Sequence, residues 1–129
     1  MMLIDSDVLV WLTRGHAGAA ARLRQVNPWR ISAVTYIELA QGCRDKAELE
    51  RLKKGLAQHG TQILAVTEAA STHAMQLIDQ HTLSSGLQLG DALIAATALE
   101  YQLPLLTGNT KHFSPIAGLT IEKFAPTPA

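Results

Sequence analysis

The sequence predicts a three-layer α/β/α sandwich around a mostly parallel sheet, in a chain of 129 residues. Short apolar segments of strand-like composition alternate with longer segments whose apolar residues recur at helical spacing. No two candidate strands are joined by a two-residue hairpin turn. Strands that alternate with helices in this way favour a parallel sheet with helices on both faces.

The first half of the chain supplies three candidate strands and four candidate helices. The strands span 2–5, 29–32 and 61–66, and the helices span 8–15, 17–26, 33–42 and about 45–60. Gly15, Pro28 and Gly60 mark helix ends, because proline cannot continue a helix and glycine favours its termination. Asp45 and Glu48 form a capping box ahead of the last of these helices.

The second half supplies two candidate helices and two candidate strands. The helices span about 70–81 and 91–101, and the strands span 103–107 and 119–124. Gly86 and Gly90 indicate a loop between the helices, and residues 108–113 a turn between the strands. The helix at 91–101 is apolar nearly all round, which is typical of a helix buried in the centre of the fold.

Composition indicates one globular domain over residues 1–125 with a short proline-containing tail at 126–129. The chain is 47% hydrophobic and 17% charged, outside the range of disordered proteins. No basic segment precedes the first apolar stretch, and no run approaches the roughly 20 apolar residues of a membrane span. We therefore expect a cytoplasmic protein that does not enter the membrane.

The cysteine, the histidines and the net charge exclude several classes of site. Cys43 is the only cysteine, which excludes an internal disulfide and a thiolate metal cluster. The five histidines show no metal-ligand spacing, so we expect them on the surface or on helix faces. The net charge is zero, although 9 of the 11 basic residues precede position 55. Binding to nucleic acid therefore requires a local basic patch.

Four oxygen-bearing side chains lie at the ends of candidate strands or near the starts of candidate helices. They are Asp5, Glu38, Asp91 and Asn109. Each has a simpler explanation as a helix cap, and Thr35 with Glu38 has the spacing of a capping box. The carboxyl ends of parallel strands meet at one edge, however, and acids gathered there raise one another's pKa values. A hard cation, Mg²⁺ or Mn²⁺, relieves that repulsion.

Four stretches of the sequence resemble the PIN domain superfamily and, within it, the VapC-type toxins of prokaryotic toxin-antitoxin pairs. They are LIDSDVLVWL at the start, ISAVTYIELAQG around Glu38, LGDALIAATALEYQLPLLTGNTKHF at 89–113, and IAGLTIEKF at the end. The resemblance implies a metal-dependent endoribonuclease that cleaves RNA. It also implies silencing by a cognate antitoxin protein and assembly as a homodimer.

By position, Asp5, Glu38 and Asp91 match the three core acids of the family. Asn109 falls where a fourth acid often stands, and an amide there contributes an oxygen ligand but no charge. The resemblance implies a metal held by Asp5 and Asp91, with Glu38 and Asn109 orienting the attacking water.

Three neighbouring residues are expected to support these acids. Ser6 and Thr107 are hydroxyls suited to fixing carboxylate rotamers. Asp7 either joins the site or is a negative charge at the N-terminus of the first helix that satisfies its free backbone N–H groups. His112 stands where relatives often carry an acid, and no role is predicted for it. Among the basic residues, candidates for contacts to the RNA backbone are Arg14, Arg44 and Lys46.

Of three other functions considered, the sequence excludes one and leaves two open. A phosphate-accepting signalling receiver requires an aspartate at the end of a central strand, and TQILAVTEAA offers none. A PIN-like domain that has lost catalysis and only binds a partner remains possible, because Asn109 carries no charge. A PIN nuclease that acts on another nucleic acid is the second alternative.

Overall fold

The computed structural model describes residues 1–126, which form one five-stranded sheet with seven helices around it. The strands are β1 (Leu3–Ile4), β2 (Arg30–Ser32), β3 (Gln62–Leu64), β4 (Leu105–Thr107) and β5 (Ile121–Lys123). The helices are α1 (Ser6–Thr13), α2 (Ala17–Arg24), α3 (Ala33–Gln41), α4 (Lys46–Gln58), α5 (Glu68–Ser85), α6 (Leu89–Glu100) and α7 (Thr110–Phe113). Every neighbouring pair of strands is parallel, so the predicted parallel sheet is confirmed.

The strand order β3-β2-β1-β4-β5 places the first strand at the centre of the sheet. The chain runs outward from β1 through β2 to β3, and then returns to the other side of β1 to form β4 and β5. Leu3 pairs with Leu105 and Ile4 with Leu106 across this reversal. In open parallel sheets, ligands bind beyond the carboxyl ends of the strands at the point where the order reverses.

Two apolar layers cover the sheet, because successive side chains of a strand point to opposite faces. Leu3 and Leu105 pack with buried residues of α5, α6 and α7. Ile4 and Leu106 pack on the other face with buried residues of α1, α2, α3 and α4. All four side chains are fully buried. Helices therefore cover both faces, and the predicted three-layer sandwich is confirmed.

Helix α6 is the central helix of its layer, as its apolar composition predicts. Four alanines and Ile94 are buried within it, and it packs along most of α5. Small side chains let the two helices approach closely. The start of α6 differs from the prediction, since the helix begins at Leu89 and includes Gly90. Asp91 is thus the third residue of the helix rather than its cap.

Several other boundaries differ from the predictions because polar side chains cap the helices earlier. Asp5 is the residue before α1, so β1 ends at Ile4 and the helix begins at Ser6. Ser32 caps α3, which leaves Thr35 buried inside the helix and makes the capping-box reading of Thr35 and Glu38 wrong. The capping box at Asp45 is supported by a hydrogen bond of 2.8 Å from Glu48 N–H to its Oδ1. Part of the predicted turn at 108–113 is the short helix α7.

The carboxyl-terminal end of the described chain closes the second apolar layer. Phe124, which follows β5, is buried against it. The tail predicted at 126–129 lies, after Pro126, outside the described residues. Among residues 1–126, the helices are too short or too polar to cross a membrane.

Candidate active site

Asp5 lies at the carboxyl end of β1, at the reversal of strand order. Its Oδ1 accepts a hydrogen bond of 2.8 Å from the Ser6 backbone N–H, as a helix cap does. Its Oδ2 accepts one of 2.7 Å from the hydroxyl of Thr107 at the end of β4. Asp5 therefore fills both of the roles considered for it, capping α1 and facing the neighbouring strand.

Asp7 turns toward the same edge. Its Oδ2 accepts a hydrogen bond of 2.8 Å from Gly108 N–H, directly after β4. Its Oδ1 is buried and has no hydrogen-bond partner within residues 1–126. A side chain at Gly108 is excluded, because a Cβ there would lie 2.9 Å from Asp7 Oδ2 and 3.0 Å from the Phe124 carbonyl oxygen.

The pKa values of both neighbouring carboxyl groups are raised. Burial raises the pKa of Asp5 to about 7, and the charges of Asp7 and, more weakly, Asp91 act in the same direction. The Thr107 hydroxyl and the Ser6 N–H oppose this rise by stabilising the ionised form. Burial also raises the pKa of Asp7, against the hydrogen bond from Gly108. Two carboxylates are thus held where their negative charge is poorly compensated.

Glu38 reaches the site from α3 and is the most exposed of its acids. Partial burial raises its pKa, a hydrogen bond from the Ser6 side chain lowers it, and the charge of Asp91 raises it. Its carboxylate lies against Gly90, where a Cβ would come within 3.1 Å of Glu38 Oε2. Because Gly90 has no side chain, the Glu38 carboxylate has room next to the backbone just before Asp91.

Asp91 projects from the first turn of α6. Its Oδ2 accepts a hydrogen bond of 3.2 Å from the Gln88 N–H at the start of the helix. The same oxygen lies 2.8 Å from His112 Nδ1, on α7. These contacts fix the Asp91 carboxylate near Asp5 and Glu38, whose pKa values respond to its charge.

Asn109 precedes α7 but does not cap it with its side chain. Its N–H donates to the Thr107 hydroxyl oxygen at 3.0 Å, and its side-chain nitrogen lies 3.0 Å from His112 Nδ1. His112 is therefore a member of the site that sequence reasoning missed, because it was grouped with the surface histidines. The three-residue spacing from Asn109 at the start of a helix is the signal that could have identified it.

The chemistry of the donors fits a hard divalent ion. Carboxylate oxygens converge on the site, and three of the acids, Asp5, Asp7 and Glu38, have pKa values raised by burial in the absence of a cation. Within residues 1–126, no three acidic, histidine or cysteine side chains stand close enough to form a complete metal-binding group by themselves. Mg²⁺ suits this arrangement, since it takes one or two protein carboxylates and keeps several waters.

A groove of about 800 Å³ runs from Glu38 along α1, α3 and α4. Three arginines line it, namely Arg14, Arg44 and Arg51, together with Glu38 and Glu48. Arg44 pairs with Glu48 at 3.0 Å on the exposed rim. Two of the residues predicted to contact the RNA backbone, Arg14 and Arg44, thus line this groove, and the third, Lys46, does not. Arg51 lines the groove but was not predicted.

Comparison with known proteins gives consistent matches over nearly the whole chain. The sequence model of the PIN domain family matches residues 2–119. Ribonuclease VapC10 of Mycobacterium tuberculosis is 38% identical over 117 residues, which cover 88% of this chain and 86% of that protein.

Solved structures match equally broadly. A toxin-antitoxin complex from Klebsiella pneumoniae contains a chain with a TM-score of 0.80 and 27% identity, covering 96% of this chain and all (100%) of that one. FitAcB from Neisseria gonorrhoeae matches with a TM-score of 0.76 and 25% identity, over 98% of each chain.

Proposed function

The chain belongs to the PIN domain family, as a VapC-type ribonuclease, and from this premise we propose that it is the toxin of a toxin-antitoxin pair that hydrolyses RNA phosphodiester bonds with Mg²⁺ or Mn²⁺. The family membership establishes an endoribonuclease. The ion, the residues that hold it and the partners belong to the proposal.

The proposal is carried by the convergence of acids from distant parts of the chain at the reversal of strand order. Asp5 is buried there with a pKa raised to about 7, which is a costly environment for a carboxylate. A divalent cation converts this cost into binding energy, because it neutralises the charges that repel one another. We assign the metal to Asp5 and Asp91, with waters completing its coordination.

When bound, the ion would polarise the phosphate of the RNA and lower the pKa of a bound water. Glu38, exposed beside Gly90 and with a raised pKa, is placed to orient the attacking water and to accept its proton. Thr107 and Ser6 hold the carboxylates of Asp5 and Glu38 by hydrogen bonds, and Asp7 adds negative charge next to Asp5. Asn109 supports the site through its side-chain contact with His112.

The groove that starts at Glu38 is the proposed path of the RNA strand. Arg14, Arg44 and Arg51 contact phosphates there without reading bases. A local patch of this kind overcomes the zero net charge of the chain.

Two protein partners complete the proposal. The Klebsiella pneumoniae match is a toxin-antitoxin complex, which supports a cognate antitoxin as the silencing partner. We also propose that the toxin is a homodimer and acts in the cytoplasm, where its RNA substrate is found.

The decisive experiment removes the metal ligands one at a time. We expect Asp5→Ala and Asp91→Asn to reduce Mg²⁺-dependent cleavage of a defined RNA by more than about 100-fold, because even outer partners of metal ligands contribute 10- to 100-fold. Circular dichroism and thermal unfolding monitor the fold. Asp79→Asn, an exposed acid on α5, is the matched control and should cleave at the normal rate.

Undiminished cleavage by either folded variant contradicts the assignment. Titration with Mn²⁺ separates the nuclease from a degenerate partner-binding module. A nuclease shows saturable binding that Asp5→Ala abolishes, whereas a degenerate module shows none. Assays on DNA of the same sequence test whether the substrate is another nucleic acid.

A further inference from the structure

We infer that His112 is a positioning residue that holds Asp91 ready for the metal by donating an Nδ1–H hydrogen bond to its carboxylate. The inference rests on the proposed function and assigns one oxygen of Asp91 to each task. Oδ2 accepts the hydrogen bond from His112, and Oδ1 would be the oxygen left to hold the ion.

The geometry decides which atom donates. His112 Nδ1 lies 2.8 Å from Asp91 Oδ2, and an ionised carboxylate can only accept a hydrogen bond. A bare ring nitrogen at this distance would set a lone pair against a negative oxygen. Nδ1 therefore carries the proton, and in the neutral ring Nε2 does not.

The Asn109 amide completes the arrangement. Its side-chain nitrogen lies 3.0 Å from the same ring nitrogen, so with Nδ1 donating to Asp91 the amide must be turned over to present its oxygen to the ring. Asn109 is itself fixed by its N–H bond to Thr107, which also binds Asp5. Contacts of Thr107, Asn109 and His112 thus connect the surroundings of Asp5 with those of Asp91.

The position of His112 explains why this bond constrains Asp91. The His112 and Asp91 side chains are 23% and 18% exposed, so water competes only weakly for the bond. Together with the Gln88 N–H at the start of α6, His112 on α7 gives Oδ2 a second donor. A carboxylate held in this way loses little rotational freedom when it binds a cation.

Substitutions of similar shape separate donation from simple packing. We expect His112→Ala to weaken Mn²⁺ binding by about 10- to 100-fold, measured by isothermal titration on the folded protein. His112→Asn keeps an N–H donor near the Nδ1 position and should restore most of the affinity. His112→Asp introduces a side chain of the same size as asparagine that has no donor when ionised, so Mn²⁺ binding should remain weak in this variant. His73→Asn on α5 is the matched control.

A second measurement needs neither metal nor RNA. Two-dimensional ¹H–¹⁵N spectra of the metal-free protein at neutral or higher pH should show His112 protonated at Nδ1 and bare at Nε2. The opposite tautomer would overturn the inference, as would Mn²⁺ affinity that is unchanged in folded His112→Ala. Restoration by Asp but not by Asn would also overturn it, because the position would then supply charge rather than a donor. If the wild-type protein binds no Mn²⁺, the proposed function fails together with this inference.

Discussion

At the scale of single residues, the site is defined by carboxylates that the fold holds in unfavourable surroundings. Asp5 caps a helix and accepts a hydrogen bond from the Thr107 hydroxyl. Burial and the neighbouring acids nevertheless raise its pKa to about 7. Each contact is ordinary by itself. Their combination stores electrostatic strain at the point where a cation is proposed to bind.

This strain predicts a specific dependence of stability on pH in metal-free buffer. Asp5 titrates near 3.8 in the unfolded chain and near 7 in the folded protein, so folding favours the protonated group. Its contribution is fully present below the lower value and is lost as the pH rises through the higher one. The free energy of unfolding should therefore fall between about pH 4 and pH 7 and level off above that range.

Asp5→Asn removes the titrating group while it keeps an oxygen for the Ser6 N–H. We expect the variant to be more stable than the wild-type protein by a few kcal/mol near pH 8, since a difference of one pKa unit corresponds to about 1.4 kcal/mol. Urea unfolding in the presence of a chelator measures the effect. Asp79→Asn should keep the wild-type pH dependence, and an equally steep dependence in Asp5→Asn would contradict the prediction.

At the scale of elements, the site depends on how closely α3 approaches α6. Gly90 lies in the first turn of α6, and the Glu38 carboxylate of α3 occupies the space next to its Cα. The contact couples the start of one helix to the side chain of another. Glycine is needed here for space, whereas Gly86 at the end of α5 is needed for its φ of +75°.

Gly90→Ala should therefore uncouple activity from stability. The new methyl group displaces the flexible end of Glu38, and helix propensity offsets the cost by up to about 1 kcal/mol. We expect the melting temperature to stay level or rise slightly, while RNA cleavage falls by about 10- to 100-fold through misplacement of Glu38. Single-turnover cleavage and thermal unfolding are the measurements.

Gly55→Ala in α4 is the control for this change, because a Cβ there meets nothing within 4 Å. It should gain a similar amount of helix stability and cleave RNA at the wild-type rate. Unchanged cleavage in Gly90→Ala would show that the position of Glu38 does not limit the reaction.

At the scale of the whole molecule, the distribution of charge matters more than its sum. The net charge is zero, but the groove beside Glu38 is lined by three arginines and two glutamates. The remaining basic residues therefore need not contact RNA. A bound divalent ion would add positive charge at the end of the groove.

Arg51→Ala tests this path. We expect weaker binding of single-stranded RNA and a salt dependence whose logarithmic slope is smaller by about 0.7, the value for one lost phosphate contact. Fluorescence anisotropy at several salt concentrations measures both, with Ca²⁺ in place of Mg²⁺ to limit cleavage. Arg24→Ala, on the exposed surface of α2 and outside the groove, should leave the slope unchanged.

The sequence by itself determined the fold class and which residues meet at the edge of the sheet. Apolar strands alternating with amphipathic helices permit few arrangements, and such a sheet brings Asp5 at a strand end to one edge with Glu38 and Asp91 near helix starts. These features depend on local periodicity and on chain order, both of which are readable in one dimension.

Only the tertiary structure decided which way each side chain turns. The inward position of Asp7 depends on Gly108, 101 residues away, and the role inferred for His112 depends on its contact with Asp91, 21 residues away. A sequence pattern carries no record of such contacts, because they arise from packing between elements that are distant along the chain.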